Sequence, residues 1–185
     1  KIEEKSKEIC SYCNLQVKFG IKQLGFNYFN FSTFFYEENE KKINIFFDTI
    51  DLKNANLQNI FYKGINVGQQ AFAGSLRYST KSGLDMNDKA DYSLFQKYLY
   101  AAMKTTEIAY NFFNKHKFDI IILHHGIYVP QGIILDVAKL FNIQIVTYTK
   151  RYKRKTIELA HDDTYHLTNL KNHDDWKIDL TESKE

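Results

Sequence analysis

Phe118–His124 reads FDIIILH; it is followed by HGIYVPQG over His125–Gly132, IILDVAKLFN over Ile133–Asn142 and IQIVTYT over Ile143–Thr149. This order spells strand, tight loop, helix, strand. After Asp119 come four apolar residues, Ile120–Leu123, with no alternation, the pattern of a strand covered on both faces. Ile143–Tyr148 has the same character. Between the two runs, Ile133, Ile134, Val137, Ala138, Leu140 and Phe141 recur at helical spacing. A βαβ unit pairs its strands in parallel and puts the loop after the first strand at the carboxyl edge of the sheet. Open α/β folds bind ligands at that edge. The predicted class is α/β: a three-layer, Rossmann-like domain with a mainly parallel sheet.

The edge loop is His124–His125–Gly126. Adjacent residues at a strand end point opposite ways, so one histidine is expected in the sheet's cover and the other in the cleft. A histidine with a near-neutral pKa can take a proton from a hydroxyl, the general-base role. Gly126 permits close backbone approach, and the helix start near Pro130 and Gln131 offers N–H groups to an anion.

The chain has 185 residues, enough for one well-buried core and short for two. Its 25 basic and 22 acidic residues leave a net charge of +3, which carries no strong nucleic-acid footprint. It starts at Lys1, without methionine and inside a helical pattern, which reads as a piece of a longer protein. No secretory h-region and no apolar run near 18 residues is present. Cys10 and Cys13 form an isolated CxxC at the apolar stripe of a helix. They read as small core hydrophobes rather than metal or redox ligands. Two cysteines in all favour a reducing compartment, so the expected location is cytoplasmic.

Along the chain, the spacing predicts a helix over 1–25 ended by Gly25, and a strand with its loop in Phe26–Phe35. A strand is also predicted at Ile43–Phe47 (INIFF), then loops and short helices over 48–88. Asn87 or Asp88 caps a long helix over 89–116, whose stripe is Phe95, Tyr98, Leu99, Ala102, Ile108, Ala109, Phe112 and Phe113. Thr156–Ala160 is a further strand candidate. Residues 1–170 are expected to form a single domain, and 171–185 a polar tail or a linker toward a second one.

Three further groups bear on chemistry. Lys150–Lys155 (KRYKRK) follows the second strand at the carboxyl edge, where Arg151, Lys153 and Arg154 suit phosphate, pyrophosphate or an acidic sugar. His161, Asp162, Asp163 and His166, in HDDTYH, match no tight zinc spacing and read as a hydrogen-bonded network shaping the cleft. Arg77, in Gly74–Tyr78 after the glycine-spaced run from Lys63–Gly64 to Gly68, is a candidate to point its guanidinium into the same cleft. No G-x-G-x-x-G or P-loop is present, which argues against a nucleotide enzyme of the simple Rossmann kind.

Taken in order, YKGINVGQQAFAGSLRYS (Tyr62–Ser79), LHHGIYVPQGIILDVAKLFNIQIVTYTKRYKRKT (Leu123–Thr156) and LAHDDTYH (Leu159–His166) form a recognisable set. This set resembles the amino-terminal half of bacterial capsule or surface polysaccharide glycosyltransferases of the GT-B type. The likeness spans roughly residues 60–170. It implies an acceptor-binding domain facing a nucleotide-sugar-binding domain across a cleft, the second domain lying beyond this chain. Carried over by position, His125 and Gly126 would face the cleft. Arg151, Lys153 and Arg154 would line it, and His161, Asp162, Asp163, Tyr165 and His166 would form its wall.

The expected catalytic groups are therefore His125, His161 and Asp163. The expected substrate-binding groups are His124, Gly126, Arg77, Arg151, Lys153, Arg154, Asp162, Tyr165 and His166. His125, Arg151 and His161 should share one concave face. The expected partners are a nucleotide-sugar and a glycan or phosphorylated acceptor, with no nucleic acid, no metal and no resident cofactor. Attachment at the inner face of the membrane is left open. The rival reading is a non-catalytic module that recognises an anionic glycan or a partner protein.

Overall fold

The computed structural model describes residues 2–151 and 154–164. The chain falls into two compact units, divided between Thr33 and Phe34.

The first unit is built on helix α1, Ile2–Gln23. Gly25 ends it with φ +76°, the Phe26 N–H donating to the Ile21 carbonyl and the Gly25 N–H to that of Lys22. Those two bonds make a Schellman motif, whose left-handed residue suits glycine. Tyr12, Leu15, Val17 and Phe19 are exposed. Cys13 is a free, exposed thiol, which corrects its reading as a core residue; the side chain of Cys10 lies outside the described residues. No strand forms in Phe26–Phe35; a 3-10 turn occupies Phe31–Phe34.

The second unit opens with helix α2, Glu37–Asp48, where a strand over Ile43–Phe47 was expected. Period decides the difference. Ile43, Phe46 and Phe47 stand at i, i+3 and i+4, and Ile43 is fully buried while Ile45 is 67% exposed. Three glutamates in the first turn and the Glu37–Lys41 pair at 2.9 Å favour the helix further. The stretch expected as loops holds the hairpin β1 (Phe61–Tyr62) and β2 (Ile65–Asn66), turned at Lys63 and Gly64, both with positive φ. Helix α3, Val67–Ser79, follows, its N-terminus capped by Asn66.

Helix α4, Lys89–Lys115, starts where predicted. Asp88 caps it by accepting the N–H groups of Ala90 and Asp91, both at 2.9 Å. Its inward stripe of Phe95, Leu99, Ala102, Met103, Ala109 and Phe113 is the centre of the core. Glu107 sits in that stripe with no exposure. It is held by the Tyr62 hydroxyl, by Asn39 Nδ2 at 2.7 Å and by Lys63 Nζ at 2.7 Å. One carboxylate thereby joins α2, the hairpin and α4.

The βαβ unit is present. Strand β3 (Ile120–His124) pairs in parallel with β4 (Gln144–Lys150) through helix α5 (Gln131–Leu140). Strand β5, Ile157–His161, pairs antiparallel with β4, so the order is β3-β4-β5. The fold is mixed α/β. The sheet is half parallel rather than mainly so, and β3 stands at its edge among the described residues.

Helix α5 packs on β3 and β4, over the face that carries the buried Ile145, Thr147 and Ala160. On the other face Ile120, Ile122, Ile157 and Leu159 are 49%, 65%, 63% and 50% exposed. The unbroken apolar run of β3 is thus covered on one face, not two. Two apolar faces give the same sequence run whether or not both find a covering layer.

Candidate functional site

The His125 N–H donates to the Tyr148 carbonyl at 2.8 Å, extending the parallel ladder by one residue beyond β3. The backbone then turns sharply: φ is +45° at His125, +68° at Gly126 and +64° at Tyr128. Left-handed backbone at non-glycine residues costs about 1–3 kcal/mol each and is tolerated where surrounding packing enforces it. Gly126 is required twice over. Its φ is positive, and a Cβ there would lie 2.6 Å from Leu135 Cδ1 and 2.7 Å from Thr147 Cγ2.

The turn leaves the two histidine rings side by side, their centroids 4.3 Å apart, but sends them to different surfaces. By strand alternation His124 shares the open sheet face with Ile120 and Ile122, its ring 5.3 Å from that of Tyr148. His125 instead lines a pocket of about 350 Å³ with Gly74, Arg77 and Tyr78 of α3 and Tyr98 of α4. Tyr128, Val129 and Gln131 line it as well. The Arg77 guanidinium lies over the Tyr128 ring, 4.9 Å from its centroid, and the His125 ring meets the edge of the same tyrosine at 5.8 Å. Tyr98 approaches α3 closely because Gly74 has no side chain to obstruct it.

Helix α5 begins at this pocket. Its cap, Pro130, makes no side-chain hydrogen bond, so the positive end of the helix is turned toward Gln131 without an intramolecular acid. Gln70 of α3 lies against Gly132 in the first turn and donates to the half-buried Asp136. Burial raises the Asp136 pKa above the ordinary carboxylate range, with Lys139 and Gln70 acting the other way. These contacts fix α3, and with it Arg77, against the helix start.

Arg77 has no carboxylate partner among the described residues, so its charge is available to a ligand. The Ile127 N–H donates to His125 Nδ1 at 3.3 Å. That contact uses the Nδ1 lone pair and fixes the ring against the turn. Tyrosine hydroxyls and a carboxamide add further polar contacts. A cation, an imidazole and a helix N-terminus around aromatic walls can hold an anionic group attached to a flat, hydroxyl-bearing body.

The remaining expected residues lie elsewhere. Arg151 is engaged by Glu158, with Nε to Oε2 at 3.0 Å and Nη2 to Oε1 at 2.7 Å. Arg154 is exposed in the turn before β5. His161 ends β5 opposite Val146, on the open face of the sheet. Asp162 ties β5 to β4: its Oδ1 accepts the Ile145 N–H at 3.1 Å and its own N–H donates to the Ile145 carbonyl at 2.8 Å. The Asp163 carbonyl accepts the Thr147 hydroxyl at 2.8 Å. Lys153, Tyr165 and His166 lie outside the described residues.

The pocket therefore gathers His125 and Arg77, while Arg151 and His161 do not line it. Tyr78, Tyr98 and Tyr128 escaped the sequence reading; Tyr98 was counted as core because it falls on the α4 stripe. The unusual wealth of tyrosine was the available signal. No group of three or more His, Cys, Asp or Glu side chains suited to a metal ion occurs among the described residues. None of the described helices is long and apolar enough to cross a membrane. Compared with protein-family models, curated proteins and solved structures, the chain matches none of them.

Proposed function

We propose that this chain is the acceptor-side half of a glycosyltransferase, a Rossmann-like domain of the GT-B kind that works on a surface or capsular glycan. The observation that carries the reading is the pocket at the carboxyl end of the parallel β3–β4 pair. There Arg77, His125 and the start of α5 meet three tyrosines. Tyrosine rings suit the apolar face of a sugar, and the cationic end suits a phosphate or carboxylate on the acceptor.

In the transfer, the acceptor oxygen attacks the anomeric carbon of a nucleotide-sugar held by a further domain, and the nucleotide leaves with the electron pair of the broken bond. The hydroxyl proton passes to a base near His125. For His125 itself to accept it at Nε2, the ring's own proton must sit on Nδ1, which gives up the Ile127 contact. Nucleotide-sugars place this work in the cytoplasm, at the inner face of the membrane for a lipid-linked acceptor.

The same Nδ1 contact supports a second reading. An imidazole whose Nδ1 is held by a backbone N–H serves recognition without chemistry, as in a module that binds an anionic glycan. Kinetics with the full-length protein, a panel of labelled nucleotide-sugars and a glycan extract separate the two. A His125→Ala variant with lowered kcat and retained acceptor KM supports the transferase. Binding of the acceptor with no turnover by the wild type leaves the recognition module.

A further inference from the structure

A second pocket, of about 430 Å³, lies between α2 and α4, within the range of roughly 300–1,000 Å³ typical of small-molecule sites. Asn44, Phe47 and Asp48 line it from α2, and Gln96, Lys97 and Tyr100 from α4. The spacing is helical on both sides: i, i+3, i+4 on α2 and i, i+1, i+4 on α4. Tyr98, which faces the His125 pocket, stands two residues from both Gln96 and Tyr100, about 200° around the α4 axis from each. The two pockets therefore lie on different faces of α4.

Phe47 and Tyr100 stack with centroids 6.2 Å apart and planes 28° from parallel. The Tyr100 hydroxyl donates to Glu40 Oε1 at 3.2 Å, one turn up α2, which holds the ring across the helix pair. The four polar side chains around this aromatic pair are exposed. They make no hydrogen bond or ion pair with other described residues. Two carboxamides offer donors and acceptors, Asp48 offers acceptors only and Lys97 donors only. The single negative and single positive charge offset each other, so the pocket selects no net charge.

We infer that this pocket is a binding site for an uncharged carbohydrate, separate from the His125 site and independent of the function proposed for it. A pyranose has an apolar face of C–H groups and a rim of hydroxyls that both donate and accept. Stacked rings beside unspent amide, carboxylate and ammonium groups complement both parts. A charged ligand would gain from one of Asp48 and Lys97 and lose to the other.

The test is a titration of the isotopically labelled chain, followed by amide and side-chain NH₂ resonances. The probes are methyl glucoside, methyl galactoside, N-acetylglucosamine and the β-1,4-linked trimer of the last, with adenosine in parallel. The expected result is saturable shifts at Asn44, Gln96 and their neighbours with at least one sugar. Asp48→Ala and Gln96→Ala, both at exposed positions, should each weaken that binding by about tenfold, the effect of one lost hydrogen bond to a charged or well-placed group. Arg77→Ala should leave it unchanged. No shift with any of the sugars, shifts confined to the His125 pocket, affinity unaltered by both substitutions, or binding of adenosine alone would each overturn the assignment.

Discussion

The Arg77 guanidinium and the Tyr128 ring, 51 positions apart in the sequence by the difference of their numbers, stack at 4.9 Å. Tyr128 adopts φ +64° to make that contact, and its ring also meets His125. The arginine is thus positioned by a face-on aromatic rather than by a carboxylate, which orients its charge without neutralising it.

Removing that charge should weaken anion binding. Arg77→Ala is expected to raise the Kd of a phosphorylated or acidic sugar roughly tenfold to a hundredfold, the effect of one charge-assisted contact. Arg77→Lys should recover only part of it, since an ammonium lacks the planar surface that stacks on Tyr128. Titrations at low and high salt should show the gap between wild type and Arg77→Ala narrowing as screening rises. Equal affinities at low salt would remove Arg77 from the site.

Gly126→Ala should destabilise the second unit by about 2–4 kcal/mol. The estimate combines the cost of left-handed backbone with the overlap of a Cβ on Leu135 and Thr147. Gly83→Ala, where no atom lies within contact of the added Cβ, is the control and should change stability little. Urea denaturation of the two variants makes the comparison.

The Tyr62–Glu107 contact predicts an alkaline limit. Burial, then the hydrogen bond and charge of Glu107, raise the Tyr62 pKa well above its ordinary value. In the unfolded chain the phenol ionises near its usual value of about 10. Above that pH the unfolded state loses a proton that the folded state keeps, so stability falls as pH rises. The denaturation midpoint should decline above about pH 10, and Tyr62→Phe should flatten that decline while lowering stability at neutral pH. An unchanged alkaline slope in the variant would assign it to other groups.

The two faces of the sheet should respond unequally to truncation. Ile145→Ala, on the α5 face, should cost about 2–5 kcal/mol, and Ile122→Ala, on the open face, about 0.5 kcal/mol or less. If both cost the same, the open face is covered in solution and the sheet belongs to a three-layer fold after all.

Much of the architecture could be read from local pattern. The strand–loop–helix–strand order over 118–149, the Asp88 cap, the long α4 and the Gly25 stop depend on residues within a few positions of one another. Short-range backbone rules suffice for them. Ile43–Phe47 shows where that reading stops. Five residues with four apolar members fit a strand or one turn of a buried helix, and the flanking acidic turn together with the surface presented by α4 selects between them.

The site divides along the same line. That a pocket opens beside His125 follows from the βαβ order, because a parallel pair places its following loop at one edge whatever else surrounds it. Which histidine enters the pocket depended on the positive φ at His125, which the local pattern does not specify. That Arg77 and three tyrosines join it, while Arg151 turns to Glu158 and His161 to the open face, depended on how α3 and α4 pack beside α5. Those contacts link residues far apart in the chain, and their geometry is a property of the packed core rather than of any segment within it.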